Sequence, residues 1–282
     1  MAAQLIDLHT HTTFSDGTLT PSELVAYAHQ KGLAAIAVTD HDTVDGLAEA
    51  QQAGRELGLE IIPALEISAE YAPGTMHILG YYIAAQSQML VDRLSYLRQA
   101  RSQRNPLIAE KLQRLGFDIS YQEVAAIGGQ VVGRPHFARA MMEKGYVNSI
   151  QEAFDLYLKK GRPAYVEKER LAPDEAIKLI VDSGGVAVLA HPYQLKLETR
   201  NQNRQILAEL KQLGLGGVEA IYSRHSSEQT EMYLELCEEL DLVATGGSDF
   251  HGENKPDIDL GTGKGDLAVP YRILEQLRQR RQ

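Results

Sequence analysis

Short apolar runs alternate with helix-start signals along much of this chain, and the runs end on histidine or a carboxylate. The first is Leu5-Ile6-Asp7-Leu8-His9-Thr10-His11, followed by Ser15-Asp16-Gly17. On an extended backbone residues i and i+2 point to the same side, so His9 and His11 face one place. An apolar strand ending in paired imidazoles, with a carboxylate shortly after, is a common way to present a catalytic metal. Alone, the pair also suits two hydrogen-bonded loop histidines, so partners elsewhere must decide.

Those partners follow in order. Thr20-Pro21-Ser22-Glu23 combines an N-cap, a proline at the first helical position and a glutamate placed for a capping box, which predicts a helix to about Lys31. Leu33 to Val38 reads as a strand buried on both faces and runs into Thr39-Asp40-His41. A helix around Val44 to Leu57 precedes the apolar run Leu59 to Leu65, which ends at Glu66. After the turn Ala72-Pro73-Gly74-Thr75 comes a further strand from Met76, with His77 second in it.

The rhythm then changes. Residues 86–166 show helical spacing without a convincing strand, with helix starts at Ser120 and Ser149 and breaks at Gly128-Gly129 and Gly145. This stretch is expected to be a helical insertion covering the active-site face, and 1–85 with 167–282 the main barrel. The segment from Val131 through Gly133-Arg134-Pro135-His136 stands out in it. Alternation resumes from Pro173: Val186 to Ala190 ends in His191-Pro192, Gly217 to Tyr222 leads to Arg224 and His225, and Leu242 to Thr245 runs into Ser248-Asp249-Phe250-His251. A helix from Tyr271 to Gln282 closes the chain, its terminal arginines suiting the helix dipole.

Composition limits the partners. A net charge of −10 argues against a broad nucleic-acid-binding face, so an anionic substrate must be met locally, by metals and a few arginines. The single cysteine, Cys237, reads as packing and fits a reducing compartment. With no signal core and no membrane-length apolar run, the expected location is the cytoplasm, with no membrane contact and no obligate protein partner.

Strands that alternate with helices pack in parallel, and in a closed barrel their C-terminal ends open onto one face. Six of the nine histidines, His9, His11, His41, His77, His191 and His251, fall at strand ends together with Glu66 and Asp249, while His29, His136 and His225 do not. With Asp16, this is too many ligands for one ion and suits about two or three divalent cations. Nitrogen and oxygen ligands without thiolate fit manganese, iron or zinc.

The series His9-x-His11, Asp16-Gly17, Thr39-Asp40-His41, Glu66, His77, Ala190-His191-Pro192 and Ser248-Asp249-x-His251 resembles, in this order, the motifs of the PHP (polymerase and histidinol phosphatase) family. The resemblance covers nearly the whole chain. It implies an α/β fold, a distorted (β/α)7 barrel with a trinuclear metal centre, and it distributes the ligands: His9, His11, Glu66 and Asp249 on one ion, Asp16, His41 and His251 on a second, and Glu66, His77 and His191 on a third. Asp16 stands where some family members have histidine.

Length, insertion and the Gly133-Arg134-Pro135-His136 segment are similar to the family's free-standing nucleoside 3′,5′-bisphosphate phosphatases, some of which are described as exonucleases trimming short RNA from its 5′ end. The resemblance therefore implies a phosphoesterase acting on a small phosphorylated nucleotide, and short 5′-phosphorylated RNA as a further substrate. Closely spaced ions lower the pKa of a bridging water and neutralise phosphoryl charge. Asp249, His191 and His251 are the expected catalytic groups, with either histidine or a metal-bound water as the acid. Arg134 is the candidate for a second phosphate, weighed against an ion pair tying the insertion to the barrel, and His136, Arg224 and His225 are further substrate candidates. Asp40 is expected to orient an imidazole. The alternatives are a histidinol-phosphate phosphatase, an amidohydrolase, disfavoured by Glu66 and by the pairing of Asp249 with His251, and a non-catalytic metal-stabilised interaction module.

Overall fold

The computed structural model describes residues 4–128 and 132–281. Gly129, Val131 and Gln282, which entered the sequence reading, lie outside the described residues. The first half of the barrel comprises β1 (Leu5–Thr10), α1 (Pro21–Gln30), β2 (Ala35–Val38), α2 (Leu47–Leu57), β3 (Glu60–Ala69) and β4 (Met76–Tyr81). Helix α1 starts as its residues dictate: Thr20 Oγ1 accepts from the Glu23 N–H, and the Glu23 carboxylate accepts from the Thr20 N–H at 2.8 Å.

Four helices follow: α3 (Gln88–Arg114), α4 (Tyr121–Gly128), α5 (Arg134–Glu143) and α6 (Ile150–Ala153), the last running into a π-helical turn over Phe154–Leu158. They pack around an apolar cluster of their own, with Ile108, Leu112, Phe137, Met141 and Leu158 at its centre. The barrel resumes with α7 (Pro173–Asp182), β5 (Val186–Leu189), α8 (Arg200–Gln212), β6 (Gly217–Tyr222), α9 (Ser227–Glu239), β7 (Val243–Gly247), the two-residue β8 (Val269–Pro270) and α10 (Arg272–Gln279).

The sheet order is β7-β6-β5-β4-β3-β2-β1-β8, and it nearly closes into a barrel. Strand β8 pairs antiparallel with the start of β1, while at the other end Thr10 bridges Phe250 just beyond β7. One apolar layer, including Leu24, Ile36, Ile67, Ile177 and Leu236, lies between the strands and the flanking helices. The opposite strand faces, with Ile6, Ala37, Ala64 and Val188, form a second layer that α10 joins through Leu274 and Leu277. Cys237 is buried in the outer layer as packing. No described helix is long and apolar enough to cross a membrane.

Two expectations change. The third strand does not stop at Glu66 but continues to Ala69, and β4 runs antiparallel to both β3 and β5. The reason is the short connection 70–75: a parallel neighbour needs a crossover of roughly a dozen residues, whereas a brief turn permits only a hairpin. His77, at the start of β4, is thereby brought beside the C-terminal half of β3, opposite Ser68 in the register.

Candidate metal centre

The closing seam of the barrel sets the first ligands. The Asp249 N–H donates to the His9 carbonyl and the His11 N–H to the Phe250 carbonyl, each at 2.9 Å. This approach needs Gly247: a Cβ there would lie 2.4 Å from the Cβ of His9 and 2.5 Å from its backbone nitrogen. The pairing of β1 with β2 is also irregular between Asp7 and Thr10, where His9 lies.

Glu66 is the hub. Its Oε2 lies 3.4 Å from His9 Nε2, 3.3 Å from His11 Nε2 and 3.1 Å from His41 Nδ1. Its Oε1 lies 2.8 Å from His77 Nδ1 and 3.0 Å from His191 Nε2. Asp249 Oδ1 is 3.6 Å from His9 Nε2 and 3.5 Å from His11 Nε2, and Asp16 Oδ1 is 3.2 Å from His251 Nε2. The eight residues singled out at the strand ends and Asp16 therefore converge.

The cluster fits divalent cations. His9 Nε2, His11 Nε2, Asp16 Oδ1, His41 Nδ1, Glu66 Oε2 and His191 Nδ1 are buried without a hydrogen-bond partner among the described residues, an expensive arrangement for polar atoms unless another group satisfies them. Three groupings have metal-ligand spacing: His11, Asp16, His41 and His251; His9, His11 and Glu66; and His41, Glu66 and His77. The groupings overlap through His11, His41 and Glu66.

Electrostatics keep the carboxylates ionised. Burial by itself would raise Glu66, but His41, His77 and His9 outweigh it and hold its carboxyl well below the usual range. Asp249 is held down in the same way, with Lys255 the strongest opposing charge to burial. Burial would lower His11, yet Asp249, Glu66 and Asp16 lift it to about 9. Protons and metal ions thus compete for the same nitrogens.

Surrounding groups aim these ligands. Glu219, fully buried on β6, accepts from His9 Nδ1 at 2.8 Å and from the His191 N–H at 2.7 Å, which leaves His9 Nε2 facing Glu66. Tyr222 Oη at 2.8 Å and Lys255 Nζ at 2.5 Å both donate to Asp249 Oδ2, so Oδ1 faces His9 and His11. His191 and Asp249 have positive φ, 27° and 60°, strain that the packed strand ends maintain. Asp40 accepts from Thr12 and from Ser15 Oγ, not from an imidazole; it reaches His11 only through Ser15, whose Oγ lies 3.3 Å from His11 Nδ1.

Beside the cluster a cleft of about 180 Å³ is lined by Asp16, His41 and His77 on one wall and by Arg101, Arg104, Arg134, Lys168 and Arg170 on the other. Arg101 and Lys168 share the buried Asp42. Lys168 is pushed down to about 7 by burial, against the pull of Asp42, and Arg104 to about 9 by burial and its cationic neighbours. Among the described residues no carboxylate holds Arg134. Its Nη1 donates to the Leu158 carbonyl at 3.1 Å and its guanidinium lies over Phe154 and Tyr165.

The other substrate candidates fall differently. His136 is buried and its Nδ1 accepts from the Gly133 N–H at 2.9 Å, so it caps α5 instead of lining the cleft. His225 donates from Nδ1 to the Ala220 carbonyl and packs among Tyr193, Tyr222 and Tyr233, because its loop turns back onto β6. Arg224 is exposed and pairs with Asp257 at 3.2 Å. The sequence reading missed Glu219, Lys255 and all of the cationic wall except Arg134. Two signals were present: Arg101 and Arg104 are three residues apart on one helix, and Glu219 interrupts an otherwise apolar strand.

The PHP domain model matches residues 7–214. A 5′-3′ exoribonuclease of Haemophilus influenzae is 34% identical over 245 residues, 87% of this chain and 89% of that protein. A 3′,5′-nucleoside bisphosphate phosphatase of Chromobacterium violaceum is 31% identical over 258 residues, 91% of this chain and 90% of that protein. Among solved structures, a protein of Bifidobacterium adolescentis assigned as a metal-dependent phosphoesterase superposes with a TM-score of 0.88 at 31% identity, covering 99% of this chain and 97% of that one. With the family matched over more than half of its residues, and imidazoles and carboxylates gathered at the strand ends, this chain belongs to the PHP domain family and is a metal-dependent phosphoesterase.

Proposed function

We propose that the enzyme removes the 3′-phosphate of nucleoside 3′,5′-bisphosphates and also acts on short 5′-phosphorylated RNA. The observation that carries this reading is that Arg104 and Arg134, which have no ion pair among the described residues, line the same cleft as Asp16, His41 and His77. Two guanidiniums without a carboxylate partner among the described residues, near a phosphoesterase centre, suit a substrate with a second phosphate. Relatives named as a bisphosphate phosphatase and a 5′-3′ exoribonuclease support it, since an enzyme that starts at a 5′ end must engage that end and cut on the 3′ side of the first nucleotide.

His9, His11, Asp16, His41, Glu66, His77, His191, Asp249 and His251 would hold the ions, two or three in number, with manganese the first choice and iron or zinc compatible. Bound there, divalent ions supply Lewis acidity and an activated water. The chain's own groups do the rest. Arg104 and Arg134 seat the 5′-phosphate, which places the 3′-phosphate at the cluster. Helices α3–α6 act as the cover that keeps bulk water from the cleft. For protonating the departing 3′ oxygen the candidates are His191 and His251, both buried beside carboxylates, Glu66 and Asp16 respectively. A cytoplasmic location suits a nucleotide substrate and a lone buried thiol.

Five cations on one wall disfavour histidinol phosphate, whose amine is itself cationic. The test is phosphate release by manganese-loaded protein from adenosine 3′,5′-bisphosphate beside histidinol phosphate. The bisphosphate should be preferred, and Arg134→Ala should raise its KM by about tenfold or more while changing kcat little, as expected for loss of a charged hydrogen bond. Preference for histidinol phosphate would refute the substrate assignment.

A further inference from the structure

A second cleft, of about 710 Å³, opens from the cluster and contains Asp16 and His251. Pro135 and Phe154 line both clefts and so form the ridge between them. Removal of a 3′-phosphate from a bisphosphate needs only the cationic cleft and the cluster, and leaves this second space without a role. Its walls carry aromatic and amide groups. Tyr193 lies against Tyr222 with ring centroids 5.7 Å apart and planes 28° apart, and Phe154, Gln151 and Asn148 stand in the same lining.

We infer that this cleft is the subsite for the nucleotide on the 3′ side of the scissile phosphate when the substrate is a short RNA. The inference rests on the function proposed above and names the part of the site that makes it an oligonucleotide-trimming one. Aromatic faces stack on any base, and amides add hydrogen bonds without demanding a sequence. Among the described residues of the lining, the cationic side chains Arg224 and Lys255 are balanced by Asp257 and Asp249, and the whole chain carries −10, so there is little to hold a long polyanion. The occupant is therefore a short strand.

The reaction balances without another reagent. A water oxygen bonds to phosphorus, the bond from phosphorus to the 3′ oxygen of the first nucleotide breaks, and that oxygen takes a proton. The products are a 5′-mononucleotide with a free 3′-hydroxyl and a strand shorter by one with a new 5′-phosphate, which then suits the cationic cleft for another round.

The experiment compares the 5′-phosphorylated dinucleotide pApA with adenosine 3′,5′-bisphosphate, using manganese-loaded wild type, Tyr193→Ala, Tyr193→Phe and the surface variant Gln151→Glu. Wild type should cleave both. Tyr193→Ala should lower kcat/KM on the dinucleotide by about tenfold, the scale of one lost base stack, and leave the bisphosphate within about twofold. Tyr193→Phe should keep both activities, and Gln151→Glu, whose added charge faces the second cleft, should selectively weaken the dinucleotide. Equal losses on the two substrates, or none, would overturn the subsite. Wild type that acts on the bisphosphate alone would overturn it while sparing the phosphatase reading, and inactivity on both would sink the two together.

Discussion

His9 turns its Nε2 toward Glu66 because its other ring nitrogen is held by Glu219, a carboxylate with no exposure of its own. Groups that fix a ligand's tautomer typically contribute about 10- to 100-fold in metal affinity. Glu219→Gln should therefore weaken manganese binding by that order, read by calorimetric titration of metal-free protein. An unchanged affinity would show that packing alone orients His9. Lys168 makes a second prediction at this scale. Its ammonium, pushed down to about 7 chiefly by burial, is charged below that pH and neutral above it, so its attraction for phosphate is lost as pH rises through 7. KM for the bisphosphate should climb across this range in wild type and stay flatter in Lys168→Arg, whose guanidinium remains protonated. Parallel profiles for the two proteins would rule Lys168 out as the titrating group.

Strand β7 must press its end against β1 for Asp249 to meet His9 and His11, and Gly247 permits the contact by lacking a Cβ. In Gly247→Ala the seam has to open, at a cost of about 1–3 kcal/mol in overpacking. Urea unfolding should show that loss, and manganese affinity should fall with it. A variant of wild-type stability and affinity would mean that the seam tolerates the added methyl. Hairpin β3–β4 makes the complementary point about direction: its short turn reverses the chain, and this reversal puts His77 beside Glu66.

The barrel as a whole gathers six imidazoles and three carboxylates onto one face, and the buried atoms among them that lack partners make the metal-free protein the less stable form. Ions that bind only the folded chain add stability by mass action, about 4 kcal/mol at a thousandfold excess over Kd. For a chain of this size that is on the order of 10 °C in Tm. Chelation should lower Tm by about that amount in scanning calorimetry and readdition of manganese should restore it. A Tm indifferent to chelator would contradict a structural contribution from the ions.

The strand-end histidines and carboxylates were legible in the sequence because each belongs to a local pattern, an apolar run followed by a ligand, and parallel βα packing forces such ends together. Capping chemistry marked α1 in the same local way. What a single stretch cannot encode is which distant groups stand side by side. Glu219 reads as an odd carboxylate in a strand until β6 lies against His9, and Arg101, Arg104, Lys168 and Arg170 read as ordinary surface charges until α3 and the segment before α7 close over the barrel. His136 and His225 erred in the opposite sense, since a histidine in the first turn of α5 and one in a loop were claimed by backbone groups a few residues away. Local sequence determined the ligands and the alternation of elements, because both are set by side-chain period and caps. Tertiary structure alone decided the cationic wall and the second cleft, because these depend on distances between residues far apart in the chain.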